Sequence, residues 1–215
     1  MTIDEPHQQQ PIFTLGKPIG EATAAMILLH GRGTPAQSMF WLAQELAHPD
    51  YIYLTPQAEG NSWYPHSFLR PLERNEPRLS SALAAVGNAV DQLTQTGIST
   101  DRIVLAGFSQ GACLACEYVA RNATRYGGLI VFSGGLIGPE GTPRNYPGSL
   151  DGTSVFIGCS DTDVHIPLAR VQETTAILTR LGAVVAERIY PQMAHTIIPD
   201  EIDHARRIID SVLVV

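Results

Sequence analysis

Ile103-Val104-Leu105-Ala106-Gly107-Phe108-Ser109-Gln110-Gly111 is the stretch that decides how this chain folds. A short apolar run leads into Gly-x-Ser-x-Gly, and Ala112-Cys113-Leu114-Ala115-Cys116 continues as a helix. A strand that turns so sharply into a helix puts the central serine in a strained backbone position, its hydroxyl held above the sheet edge. Gly107 and Gly111 let strand and helix pack closely around it. The helix N-terminus also aims free N–H groups at the space in front of Ser109. That is the setting a serine nucleophile requires, and Ser109 is expected to be one.

Working outward, strand-like runs fall at residues 12–15, 24–30, 51–55, 102–108, 129–133, 154–157 and 184–190. The middle ones are almost continuously apolar, as strands buried on both faces require. Helical spacing appears at 38–47, 78–96, 110–123, 168–181 and 199–213. Leu79, Leu83, Val86, Val90 and Leu93 make one apolar stripe, and Ile202, Ala205, Ile209 and Val212 another. Strands alternating with helices predict an α/β fold, with a mostly parallel central sheet and helices on both faces. Ligands bind at the carboxyl ends of the strands in such sheets. The 215 residues show no linker, low-complexity tract or repeat, so residues 1–215 are read as one domain, with residues 1–10 expected as a flexible polar tail.

An apolar fraction of 44% with 16% charged residues suits a globular chain with a sizeable core. A net charge of −7 and scattered basic residues argue against a nucleic-acid partner. No apolar run approaches the ~18 residues of a membrane span, so no stable membrane insertion is expected. The start of the chain lacks the apolar segment of a signal peptide. Its three cysteines read as buried thiols in a reducing compartment, which makes the cytoplasm the expected location. Cys113-x-x-Cys116 reads as packing rather than as a redox or metal motif. His and Cys show no ligand-like clustering, so no metal and no cofactor is expected.

A serine needs a base, and seven histidines are available. His7 lies in the polar tail, His204 reads as solvated on the last helix, and His30 reads as structural. His195 follows the last strand by a short loop and sits at a strand end, as Ser109 does, so it is the expected base. The base needs an acid to hold its tautomer. Asp161 and Asp163, after the strand at 154–157, compete for that role, and Asp163 is preferred. The order Ser, Asp, His is that of the α/β-hydrolases. An oxyanion wants backbone N–H donors. One is expected from Gln110, after the nucleophile, and the second from Arg32 in Leu28-Leu29-His30-Gly31-Arg32-Gly33.

With these segments in place, the chain resembles the phospholipase/carboxylesterase family, which includes the acyl-protein thioesterases. The resemblance rests on Leu29-His30-Gly31-x-Gly33, Gly107-Phe108-Ser109-Gln110-Gly111, Asp163-x-x-Ile166-Pro167 and a late His195. It implies the α/β-hydrolase fold, a Ser109–Asp163–His195 triad, Asp163 rather than Asp161 as the acid, and an oxyanion hole at Arg32 and Gln110. Two departures stand out. Arg32 occupies a position where thioesterase members usually carry Leu, and Trp63-Tyr64-Pro65 replaces their Trp-Phe-Asp. The added charge at the pocket mouth favours small esters or thioesters over lipid-modified proteins.

The expected function is therefore that of a serine carboxylester hydrolase acting on short to medium acyl esters or thioesters. Acyl-protein thioesterase or lysophospholipase activity is the alternative on the same site. A peptidase or a dienelactone-type hydrolase is a further enzyme reading, and serine in place of cysteine counts against the latter. A non-catalytic ligand-binding protein on the same fold is the alternative of another class. The expected partner is a small-molecule substrate, and a homodimer is kept open. Between Pro56 and Pro77, Trp63, Tyr64 and Phe68 are expected to form the substrate pocket. Packing of the same rings inward as a satellite core is the competing expectation.

Overall fold

The computed structural model describes residues 5–213. Seven strands form one sheet: β1 (Ile12–Gly16), β2 (Ala24–Leu29), β3 (Tyr51–Pro56), β4 (Ile103–Phe108), β5 (Gly128–Phe132), β6 (Ser154–Ser160) and β7 (Val184–Tyr190). Their spatial order is β1-β3-β2-β4-β5-β6-β7. β1 runs antiparallel to β3, and every other pairing is parallel. The helices are α1 (Phe40–Glu45), α2 (Arg78–Gln95), α3 (Gln110–Arg121), α4 (Leu168–Arg180) and α5 (Pro199–Val212).

Strand periodicity distributes the core. Ala25, Ile27 and Leu29 of β2, with Ile103 and Leu105 of β4, face the side covered by α2, α3 and α4. The alternate residues Ala24, Met26 and Leu28, with Val104 and Ala106, face the side covered by α1 and α5. All six residues of β2 are buried, which is why this strand reads as an unbroken apolar run. β1 has only a half-buried pattern, and it lies at the edge of the sheet.

The helix expected over 38–47 is divided. A 3-10 turn at Ala36–Met39 comes first, and only Phe40–Glu45 is α-helical. α5 begins with Pro199, whose missing N–H suits a first helical turn, and the Glu201 Oε2 accepts the Ile198 N–H at 2.9 Å. The polar stretch at residues 5–10 does not project into solvent. His7 is buried, its Nε2–H donates to Trp63 O at 2.9 Å, and its Nδ1 accepts the Glu59 N–H at 3.1 Å. Gln8 adds a bond to Ser81 O. The rest of the expected tail, residues 1–4, lies outside the described residues.

The chain order places the site. From β2 the connection runs to β3 on one side, and β3 then crosses back to β4 on the other side of β2. The loops that leave β2 and β4 therefore diverge from neighbouring strand ends, and the crevice between them is where open parallel sheets hold ligands.

Candidate active site

Ser109 stands between the last residue of β4 and the first of α3, with φ 54° and ψ −117°. A non-glycine residue held there stores about 1–3 kcal/mol of strain, and it persists only where its surroundings over-determine it. They do so here. The Ser109 N–H donates to Phe132 O at 2.9 Å, and the Ser109 carbonyl accepts the Cys113 N–H at 3.0 Å to close the first turn of α3. A methyl group on Gly107 would collide with the Gly111 main chain, and one on Gly111 with the Leu29 carbonyl. The two glycines are thus the condition for β4, α3 and β2 to approach so closely.

Asp163 lies in the loop after β6, and its side chain is fully buried. Oδ2 stands 2.6 Å from Nδ1 of His195, while Oδ1 accepts the N–H groups of His165 at 2.8 Å and Ile166 at 3.1 Å. Burial alone would push this carboxyl up. The bonds from His195, His165 and Ile166 outweigh burial and hold its pKa below the usual carboxylate range. The bond fixes Nδ1 of His195 and leaves Nε2 without a protein partner among the described residues. The imidazole packs at 4.9 Å from the Phe108 ring and at 4.9 Å, edge-on, from His165. Asp161 has other work: its Oδ1 accepts the Gln192 N–H at 2.8 Å, which ties the loop after β6 to the loop after β7.

Ser109 and His195 border the same cavity, about 470 Å³ in volume. Tyr64, Phe68, Phe108 and Ile166 supply its apolar walls. The main-chain N–H groups of Arg32 and Gln110 donate to no protein acceptor among the described residues. The Gln110 side chain is occupied instead. Its Nε2 donates to Tyr64 O at 2.8 Å and its Oε1 accepts the Trp63 N–H at 3.0 Å, so it fastens the aromatic loop to the start of α3. The Arg32 guanidinium crosses the same loop, donating to Pro65 O at 2.8 Å and His66 O at 2.6 Å.

Of the three aromatic residues expected in the pocket, the structure brings Tyr64 and Phe68 to the cavity and not Trp63. Trp63 is fully buried beneath it. Its indole N–H donates to His30 O at 3.0 Å, and its ring lies 5.0 Å from that of His30 and 5.6 Å from that of His7. A buried indole needs an acceptor, and the carbonyl at the end of β2 supplies one. His30 is structural, as read: Nδ1–H donates to Gly31 O at 2.8 Å, Nε2 accepts the Ala58 N–H at 3.1 Å, and burial lowers its pKa. His204, expected to be solvated, stacks on Phe156 at 4.7 Å instead.

Residues other than the expected Tyr64 and Phe68 also line the cavity. Phe108 and Ile166 are named residues of the two motifs, and the elbow and the Asp163 turn direct them inward. His66, one of the rings carried by the loop between Pro56 and Pro77, lines it too, as does His165, whose local sequence assigns it no place. A smaller groove of about 210 Å³, with Met39, Trp41 and Ile197, shares Gly31, Thr34 and Phe108 with the main cavity. Cys113, Cys116 and Cys159 are all buried and unbridged. No helix of the described residues is long and apolar enough to cross a membrane.

Comparison with known proteins agrees with this architecture. Residues 11–213 match the sequence profile of the Phospholipase/Carboxylesterase family. A crystal structure of a phospholipase/carboxylesterase from Dyadobacter fermentans superposes with a TM-score of 0.90 at 45% identity, covering 94% of this chain and 96% of that one. Acyl-protein thioesterase 1 of Saccharomyces cerevisiae is 25% identical over 213 residues, 86% of this chain and 91% of the yeast protein. The Bacillus cereus carboxylesterase, at 19% identity and a TM-score of 0.74 over 96% of each chain, shares the fold. The match spans nearly the whole sheet and every loop that borders the cavity, and the chain belongs to the phospholipase/carboxylesterase family of hydrolases, on the α/β-hydrolase fold.

Proposed function

We propose that this protein is a serine carboxylester hydrolase that cleaves short to medium acyl esters or thioesters through an acyl-enzyme. The observation that carries this reading is the 2.6 Å bond from Asp163 to Nδ1 of His195, at the border of the cavity that Ser109 also lines. Asp163 sets the tautomer, so that Nε2 of His195 is free to take the Ser109 hydroxyl proton. The Ser109 Oγ then forms a bond to the acyl carbon, and the carbonyl electron pair moves onto oxygen. The main-chain N–H groups of Arg32 and Gln110 receive that oxyanion. Collapse expels the alcohol or thiol, which takes the proton from His195. Water then repeats the sequence and releases the acid. Tyr64 and Phe68 hold the acyl group against apolar surface.

The test uses Ser109→Ala against a panel of p-nitrophenyl esters and acyl thioesters of graded chain length. Turnover is expected to fall by several orders of magnitude, leaving about 10³–10⁴ over water from binding and the oxyanion donors. A fluorophosphonate probe is expected to label the wild type and not the variant. Near wild-type turnover in the variant, or a wild type that neither labels nor turns over, would leave a ligand-binding protein as the better reading. If thioesters are cleaved much faster than the matched oxygen esters, the thioesterase branch of the same site is favoured.

A further inference from the structure

We infer that the substrate carries a negatively charged group, a carboxylate or a phosphate, and that Arg32 at the cavity mouth selects it. The inference rests on the esterase reading and adds the chemical class of the substrate. Its first ground is that Arg32 has no carboxylate partner among the described residues. Five other arginines lie against acids: Arg78 on Glu59, Arg121 and Arg144 on Glu117, Arg170 on Glu173, Arg206 on Glu45; the remaining arginines without such a partner do not line the cavity, and Arg32 does. Arg32 makes bonds only to neutral acceptors, the carbonyls of Pro65 and His66 and the Ser62 hydroxyl. Those bonds direct the guanidinium without neutralising it. They use three of its five N–H groups and leave two for a ligand.

The second ground is the composition of the cavity. The chain carries 21 acidic residues and a net charge of −7, yet no Asp or Glu among the described residues lines this cavity. Its basic lining consists of Arg32, His66, His165 and His195, while burial keeps the Tyr64 and Cys113 groups that also line it in their neutral forms. Asp163, bonded to the lining residue His195, has its buried oxygens taken up by His195 and two backbone N–H groups. A cleft lined by one sign of charge in an otherwise acidic protein concentrates ligands of the opposite charge. The third ground is position. The Arg32 main-chain N–H faces the oxyanion in the proposed mechanism, so its side chain begins next to the reacting carbonyl. It then leans across the Tyr64 ring, with 5.8 Å between guanidinium carbon and ring centroid. Clamping a loop through neutral carbonyls does not require a charge, but selecting an anion does, and a planar fork fits carboxylate and phosphate oxygens.

The experiment compares kcat/KM for p-nitrophenyl butyrate, mono-p-nitrophenyl glutarate, the p-nitrophenyl ester of a phosphonobutyrate, and a trimethylammonium-bearing ester of similar length. The wild type is expected to favour at least one anionic ester over butyrate by about tenfold, with the cationic ester poorest. The carboxylate and phosphonate arms separate the two sources of charge. Raising NaCl from low to high concentration is expected to shrink the anionic preference while leaving butyrate hydrolysis nearly unchanged, because the guanidinium is exposed. Arg32→Gln is expected to abolish the ratio between anionic and neutral esters, and Arg32→Lys to retain part of it. The ratio is the readout because Arg32→Gln can also perturb the oxyanion donor, which affects both esters alike. If Arg32→Gln does not fold, the salt dependence of the wild-type ratio decides. Butyrate turnover with no anionic preference, or a preference insensitive to both salt and Arg32→Gln, would overturn the inference and leave the esterase reading standing. A wild type that turns over none of these esters would overturn both.

Discussion

Ser109 is held by packing at the middle of the sheet, whereas Asp163 and His195 are held by a few polar bonds near its edge. β4 has β2 on one side and β5 on the other, and the turn into α3 is so close that neither flanking glycine has room for a methyl group. The loops after β6 and β7 are largely exposed, with Asp161, Thr162, Val164 and His165 open to solvent. They keep register through the Asp163 bonds and through Asp161 on Gln192. The difference separates two kinds of damage. Substitutions around the proposed nucleophile are expected to act on the fold, and substitutions around the proposed base on the chemistry.

The largest test of that contrast is Gly111→Ala. Both the new methyl group and the Leu29 carbonyl it would meet are anchored in backbone, so neither can move aside. Loss of more than about 4 kcal/mol is expected, a fall in Tm of about 10 °C or more, read by thermal denaturation. A variant that melts with the wild type would show that the elbow is not held by packing. Next in size is Asp163→Asn, expected to cut kcat by about 10⁴ by offering His195 an amide donor instead of an acceptor. The amide oxygen still accepts the two backbone N–H groups, so stability should change by under about 2 kcal/mol. Asp161→Asn should cost less than about tenfold in kcat. Reversed effects would move the acid to Asp161 and dissolve the edge half of the comparison.

Trp63→Ala sharpens the boundary between the two kinds of damage. Trp63 sits in the loop that walls the cavity but packs beneath it, so it should behave like the nucleophile side. A stability loss of about 3–5 kcal/mol is expected, with chain-length preference among esters unchanged. A shifted preference at constant Tm would return Trp63 to the pocket.

The smallest effect belongs to Glu201, on the other side of the divide. Its carboxyl is fully buried near Gly158, with Oε2 bonded to the Ile198 N–H and Oε1 lacking a partner among the described residues. Burial pushes its pKa up to about 7, against the opposing Ile198 bond. An acid that holds its proton more tightly when folded favours the native state at low pH. That contribution is lost as pH rises from its ordinary 4.5 through about 7. Glu201→Gln should therefore gain about 3 kcal/mol on the wild type between pH 4.5 and pH 8, measured by denaturant unfolding at each pH. A difference that is constant with pH would mean that Glu201 ionises normally.

Legibility followed the same divide. Strands and helices were readable because burial on one or two faces leaves a period in the sequence. The Ser109 elbow was readable because Gly-x-Ser-x-Gly encodes a backbone shape as well as a side chain. Asp161 and Asp163 are chemically identical and two positions apart, so the sequence reading preferred Asp163 chiefly through the Asp163-x-x-Ile166-Pro167 motif. The turn that carries Asp163 to His195, and Asp161 to the Gln192 N–H, adds the physical reason. The direction of Trp63 depended on a buried acceptor, the His30 carbonyl, more than thirty positions earlier. The strand order and the antiparallel course of β1 leave no local signature either. The side-chain path of Arg32 is set by carbonyls in a different loop, which no spacing rule reaches.

Gln110 couples two properties that evolution would otherwise vary separately. Its side chain grips the main chain at Trp63 and Tyr64, and the same residue is the immediate neighbour of Ser109. An insertion or deletion in the aromatic loop would pull on the start of α3 and misalign the reaction centre. Diversification of substrate range should therefore proceed by exchanging side chains at Tyr64 and Phe68 within a loop of constant length. Directed evolution that randomises those two positions should yield active variants far more often than a library that varies the length between residues 62 and 66.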